Sequence, residues 1–339
     1  MNHPTEFFSP ASLPRTTPRG PRSRVDEPTA TGYDNRTAFA EELAALARAD
    51  ERVVAVCNDS VGSSNLGAFR EEFGDRLINV GIAEQNMVGI GAGLAATGLI
   101  PFVCGAGPFL TGRATEQVKA DVAYSQHPVI LCGMSPGMAY GELGPTHHSV
   151  EDLSWMRALP GLDIVVPADR QQTRQAMRLV AAEPRPTYMR IGRHKVPDVT
   201  SEGDDLVRGR IDIVVPGGDI AIIATGTLVS RALEASRRLS DDGVSARVLN
   251  AAWISPLDEA TLLDAADGTR AVIVAEEANI AGGLGAAVAQ LVAREGLSRR
   301  VIPLGLTEFA PTGSNDVLLE HFGLTSDNIV RVATDALHA

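Results

Sequence analysis

Lysine is almost missing from this chain: Lys119 and Lys195 are the only two among 339 residues, and arginine carries nearly all the positive charge. That bias reflects the composition of the source genome and assigns no function. Cysteine is scarce as well. Cys57, Cys104 and Cys132 each close a short apolar run and lack the spacing of a disulfide framework or a metal site, so they read as small buried thiols in a reduced, cytoplasmic protein. No apolar run approaches the roughly 18 residues of a membrane span, and the N-terminus lacks the apolar core of a signal peptide. A formal net charge of −12 argues against a nucleic-acid-binding surface. Walker A, HExxH and GxSxG motifs are absent, and the routes to catalysis they represent lose their support. What is there, 44% hydrophobic and 21% charged, is a soluble chain with room for two domains.

Residues 1–36 are a leader rich in Pro, Arg, Ser and Thr, with Phe7 and Phe8 as its only bulky apolar pair. Such a segment buries too little surface to offset its chain entropy, so disorder or docking onto a partner is expected. From Ala38 to Ala47 the apolar spacing fits an amphipathic helix, and Val53–Cys57 reads as a buried strand. Short apolar runs at 102–104, 128–132 and 163–166 then alternate with helical stretches at 114–124 and 169–182. Polarity rises over 197–210, where Thr200-Ser201-Glu202-Gly203-Asp204-Asp205 has no periodicity and reads as a linker. A second set follows, with strands at 219–224, 246–249 and 271–275 and helices at 228–240 and 283–294. The alternation predicts an α/β protein of two doubly wound domains, 37–196 and 211–339, each a parallel sheet covered by helices on both faces.

The stretch Asn79-Val80-Gly81-Ile82-Ala83-Glu84-Gln85-Asn86-Met87 places a single acid in an otherwise uncharged run. Small residues follow at Gly89, Gly91, Ala92, Gly93, Ala95 and Ala96, so a helix beginning near Glu84 can pack closely on its neighbours, with Glu84 at a buried start. Burial without compensation raises a carboxyl pKa, which makes Glu84 a candidate proton-transfer group. The residues alone leave a second reading open, that of a first-turn acid complementing the helix dipole. Gly89-x-Gly91-x-Gly93 lies inside the helical pattern and so does not fit a dinucleotide loop. Gly282-Gly283-Leu284-Gly285 follows a strand and opens a helix; it suits either an anion at the helix start or close helix-sheet packing.

These motifs in order resemble the transketolase family and the related 1-deoxyxylulose-5-phosphate synthases. The Glu84 segment is similar to the one carrying the glutamate that contacts thiamine diphosphate. Asp59 after the first strand, Phe109-Leu110-Thr111-Gly112-Arg113-Ala114-Thr115-Glu116-Gln117, Gly144-Pro145-Thr146-His147-His148, Arg193, and Glu276-Glu277 through Gly285 extend the likeness over nearly the whole chain after the leader. The part resembled is the C-terminal half: a pyrimidine-binding domain and the smaller C-terminal domain. The resemblance implies that Glu84 hydrogen-bonds the cofactor's pyrimidine N1′ and controls its tautomer, that Phe109 stacks on the pyrimidine, that Asp59 lies near the cofactor, that His147 faces the substrate channel, and that Arg193 reads a phosphate. His148 reads as a surface residue. The family's Gly-Asp-Gly motif, which holds the diphosphate and Mg²⁺, is absent. No metal ligand is therefore assigned to this chain, and the resemblance implies a split enzyme in which Mg²⁺ is held by a separate N-terminal subunit, assembled as an α2β2 heterotetramer. Departures fall in the acceptor pocket: Leu143 stands where relatives carry a hydroxyl-reading Asp, Ser135 where they carry a phosphate-contacting His, Ala106 for a Phe and Ala278 for a His. The implied activity is transfer of a two-carbon ketol or acyl unit from a small sugar or keto compound to an aldehyde or ketone. A pyruvate-decarboxylating relative, similar to deoxyxylulose-phosphate synthase or the β subunit of pyruvate dehydrogenase, and a non-catalytic scaffold are the alternatives.

Overall fold

A computed structural model describes residues 32–339. Residues 1–31, and with them nearly all of the expected leader, lie outside the described residues. The fold is in place from Tyr33, whose backbone bridges Val196, and Asp34 caps the helix Asn35–Ala49 by accepting the Arg36 N–H at 2.9 Å.

The strands in order are β1 (Val53–Cys57), β2 (Leu77–Asn79), β3 (Ile100–Ala106), β4 (Ile130–Met134), β5 (Asp163–Val165), β6 (Thr187–Ile191), β7 (Asp212–Val215), β8 (Ile220–Ala224), β9 (Ala246–Asn250), β10 (Trp253–Ser255), β11 (Ala271–Asn279) and β12 (Arg300–Leu306). They form a seven-stranded sheet, β10-β5-β6-β4-β3-β1-β2, and a five-stranded sheet, β12-β11-β8-β9-β7. Both sheets are parallel except at one edge strand each: β10 runs antiparallel to β5, and β7 antiparallel to β9. The expected all-parallel sheets are thus mixed. Three residues of β10 are too few to show a period, and the strand leaves the second half of the chain to complete the first sheet, a pairing that local sequence does not encode.

Strand β1 is buried at every position because helices cover both sheet faces. Its side chains split by parity. Val53, Ala55 and Cys57 pack with Phe39 and Leu43 of the first helix, whereas Val56 packs with Met87 and Val88 of the helix Glu84–Ala96. That helix lies close on the sheet because Gly91 has no side chain: a Cβ there would fall 2.5 Å from a methyl of Val103 in β3. The helix expected over 114–124 is instead a short turn, Thr115–Gln117, followed by a wide π-turn stretch, Val118–Tyr124. The wider winding keeps Val118, Val122 and Ala123 together on the buried side. No helix among the described residues is long and apolar enough to cross a membrane.

Several buried polar groups tie the two halves together. Asp152 and Arg190 form a fully hydrogen-bonded ion pair, with Arg190 Nε 2.9 Å from Asp152 Oδ2 and the Tyr188 hydroxyl donating to the same oxygen at 2.5 Å. The remaining Arg190 N–H groups donate to the Ser149 carbonyl at 3.1 Å and, across the domain boundary, to the Glu277 carbonyl at 3.2 Å. The polar stretch after Pro197 is not loose either: the buried Asp169 carboxylate, which caps the helix Arg170–Ala182, accepts from the Val199 and Thr200 N–H groups at 2.7 and 2.6 Å.

Glu276 and Glu277 lie near the end of β11, and each serves the start of a different helix. Glu276 accepts from the Leu284 and Gly285 N–H groups at 2.6 and 2.7 Å, at the start of the helix Leu284–Arg294. Glu277 accepts from Thr227, the cap of the helix Leu228–Asp241, at 3.3 Å, and from the Met138 N–H at 2.7 Å. The anion at the Gly282–Gly285 turn is therefore the chain's own carboxylate, and Gly283 is small because a Cβ would collide with it. Burial pushes the Glu276 carboxyl upward, and the two N–H donors only partly restore it.

Candidate active site

Glu84 is the first residue of its helix and only 4% exposed. Its Oε1 accepts from Asn58 Nδ2 at 2.8 Å and from Arg113 Nη1 at 3.0 Å. Burial pushes its pKa up, but its own backbone N–H, Arg113 and Asn58 outweigh that, so the carboxyl lies below the usual range. The expectation of a raised pKa holds only for burial without compensation, and here three donors compensate. Glu84 is an ionised, positioned acceptor whose second oxygen takes no hydrogen bond from any other described residue.

Arg113 ends the helix Gly107–Arg113 and lies over the Phe109 ring, with Cζ 4.1 Å from the centroid. Phe109 meets His147 edge-on at 5.2 Å between centroids, His147 meets Tyr140 at 6.2 Å, and Arg193 lies over Tyr140 at 5.2 Å. Four of the residues singled out in the sequence, Glu84, Phe109, His147 and Arg193, thus stand in one continuous row, with Arg113 and Tyr140 as the connecting members. His147 accepts or donates through Nδ1 to the Thr146 hydroxyl at 3.0 Å, which leaves Nε2 without a partner among the described residues. Leu143 is in the same loop as Tyr140 and His147 and is 56% exposed.

Two candidates lie outside the row. Asp59 is exposed, with φ of 68°, and its contacts are turn contacts: its N–H donates to Asn79 Oδ1 at 3.0 Å and its carboxylate accepts from Asn79 Nδ2 at 3.1 Å. Its neighbour Asn58 is the buried residue that reaches Glu84. Ser135 is fully buried at the end of β4, with φ of 55° and its hydroxyl unpartnered. His148, expected at the surface, is only 2% exposed, and burial lowers its pKa. The backbone turn after Gly144 turns it inward, since both His147 and His148 N–H groups bond the Gly144 carbonyl.

Asn58 was within reach of sequence reasoning. Val56 faces the Glu84 helix, so the alternation of β1 continued by two residues puts Asn58, not Asp59, on that side. Arg113 carried no role in the sequence because nothing in its local pattern says that its helix ends beside Glu84.

A planar heteroaromatic group with a hydrogen-bond donor fits this donor and acceptor set: an ionised buried oxygen that takes no hydrogen bond from any other described residue, and an aromatic ring joined to it through Arg113. Among the described residues no cluster of His, Cys, Asp or Glu could hold a metal ion.

Residues 31–199 match the domain described as transketolase, pyrimidine binding domain, and residues 209–329 the domain described as transketolase, C-terminal domain. The first of these is the class of module to which Glu84 and Phe109 belong. The chain is 40% identical over 301 residues to one subunit of the apulose-4-phosphate transketolase of Phocaeicola vulgatus, covering 88% of this chain and 96% of that one. It is 38% identical over 299 residues to the 6-deoxy-6-sulfo-D-fructose transketolase subunit of a Clostridium species, covering 88% and 92%. A solved split-gene transketolase, described as an inactive β4 tetramer, superimposes with a TM-score of 0.82 at 34% identity, covering 91% of this chain and 99% of that one. The chain belongs to the transketolase family.

Proposed function

We propose that this chain is the C-terminal subunit of a two-chain, thiamine-diphosphate-dependent transketolase, active only when joined by a subunit carrying the Gly-Asp-Gly motif. The observation that carries the reading is the buried Glu84 carboxylate, held by Asn58 and Arg113 with one oxygen unpartnered, at the end of the row Phe109, His147, Tyr140 and Arg193. When bound, the cofactor supplies the carbanion chemistry of two-carbon transfer. Glu84 accepts a hydrogen bond from the pyrimidine N1′ and so holds the proton that sets its tautomer, and Phe109 packs on the ring face. His147, through its unpartnered Nε2, serves substrate oxygen atoms, and Arg193 anchors an anionic substrate tail.

Mg²⁺ and the diphosphate are assigned to the partner, whose Gly-Asp-Gly motif would supply the hard oxygen ligands. We place the working domains at 37–196 and 211–339, with 197–210 between them, in a cytoplasmic α2β2 assembly. Leu143, in place of a hydroxyl-reading Asp, favours a carbonyl acceptor with fewer hydroxyls, and Ser135, in place of a phosphate-contacting His, weakens the grip on a phosphate. Asp59 acts near the cofactor only through the turn that fixes Asn58. Names of similar proteins support the subunit reading: the Phocaeicola and Clostridium relatives are each named as one subunit of a transketolase. The test is reconstitution. This chain is mixed with an N-terminal transketolase subunit that carries the Gly-Asp-Gly motif, and ketol transfer is assayed with thiamine diphosphate and Mg²⁺. Turnover in the mixture and in neither chain alone is expected, and turnover by this chain alone contradicts the proposal.

A further inference from the structure

The two groups assigned to the pyrimidine, the Glu84 carboxylate and the Phe109 face, are already engaged by one side chain. Arg113 Nη1 donates to Glu84 Oε1 at 3.0 Å while its Cζ lies 4.1 Å from the Phe109 centroid. A guanidinium is flat, cationic and rich in N–H donors, and it stacks on aromatic rings. An aminopyrimidine asks for contacts of the same kind, a donor to the same carboxylate and a ring face to lie on, and the overlap with Arg113 falls on the Phe109 face. Arg113 makes no other polar contact among the described residues, and its side chain is 51% exposed, so nothing else holds it there. It stands at the last residue of its helix.

We propose that Arg113 is an internal stand-in for the cofactor's pyrimidine. In the chain without cofactor it closes the seat and keeps the buried Glu84 charge paired, and cofactor entry requires it to leave. This inference rests on the function proposed above but does not follow from it, since a chain can bind the cofactor with Arg113 never entering the seat. The consequence is that pyrimidine affinity is reduced by the work of displacing an exposed ion pair and a cation–π contact.

The experiment uses the full chain and a probe that needs no diphosphate site: 4-amino-5-aminomethyl-2-methylpyrimidine, titrated by calorimetry and by ligand-observed NMR. Arg113→Ala should bind it about tenfold more tightly than wild type, from the typical sizes of an exposed ion pair and a cation–π contact. Arg113→Lys, which keeps the charge but not the planar stack, should fall between the two. Glu84→Gln and Phe109→Ala should both weaken binding, and circular dichroism checks that each variant is folded. If Arg113→Ala misfolds, Arg113→Gln carries the comparison. Equal or weaker binding by a folded Arg113 variant, with Glu84→Gln still weakened, overturns the stand-in alone. Binding by no variant at all overturns it together with the cofactor reading.

Discussion

Replacing Glu84 by Gln separates a structural from a chemical role, because the structure predicts effects of very different size. The amide keeps the side chain's volume, and its oxygen can still accept from Asn58 and Arg113, the two partners now at 2.8 and 3.0 Å. What is lost to the fold is the charge on an ion pair whose other member is half-exposed, a contribution of about 1 kcal/mol after solvent screening. For a chain of this size that amounts to a fall of roughly 1–2 °C in Tm. The chemical loss is larger. An amide cannot hold the proton at pyrimidine N1′ as a carboxylate does, and loss of a positioned acid or base typically slows proton transfer by about 10²–10⁴. In the reconstituted enzyme, hydrogen-deuterium exchange at the cofactor's C2, followed by NMR, should slow by that order while the melting temperature hardly moves. Unchanged exchange refutes the assignment of Glu84. Collapse of the fold refutes the claim that its hydrogen bonds survive as an amide.

Asp152→Asn should cost about 3–5 kcal/mol of stability, because it strands the buried Arg190 charge, and a denaturant midpoint shift worth less than about 1 kcal/mol would contradict the pairing. The stabilising effect of the Glu84 charge should depend on pH with a definite sign. Its folded pKa lies below the unfolded value of about 4.3, so the contribution is complete above that value and is lost as pH falls through the folded one. The difference in unfolding free energy between wild type and Glu84→Gln should therefore shrink as pH falls below the unfolded value, and a difference that grows on acidification contradicts the pairing. Leu143→Asp should raise kcat/KM for hydroxylated acceptors relative to their deoxy analogues, since the exposed Leu143 side chain offers no hydrogen bond. No gain for hydroxylated substrates would remove Leu143 from the acceptor pocket.

The α/β alternation and the course of the Glu84 helix were legible in the sequence because buried strands and close-packed helices demand particular residues. Val53–Cys57 is apolar throughout since both its faces are covered, and Gly91 is small since Val103 lies against it. The motifs also singled out Glu84, Phe109, His147 and Arg193, which the fold brings into one row. What the sequence hid depends on distance across the fold. The antiparallel edge strand β10 joins a sheet whose other strands end with β6, and no local pattern encodes that partner. Compensation of Glu84 needs Asn58 and Arg113, which lie 26 and 29 residues away. His148 looks polar and superficial in sequence, yet the turn at Gly144 buries it. The Gly282–Gly285 turn left two readings open, and the choice between them required seeing that Glu276 fills the helix start.

The central claim, that this chain carries only the pyrimidine half of a thiamine diphosphate site, is tested most directly by calorimetry of the intact cofactor. Thiamine diphosphate and Mg²⁺ are titrated into the isolated chain and into its complex with the Gly-Asp-Gly subunit. Tight, Mg²⁺-dependent, stoichiometric binding is expected only in the complex, because this chain offers Glu84 and Phe109 to the pyrimidine while the Gly-Asp-Gly subunit would supply oxygen ligands to Mg²⁺ and the diphosphate. Stoichiometric Mg²⁺-dependent binding by the isolated chain would contradict it.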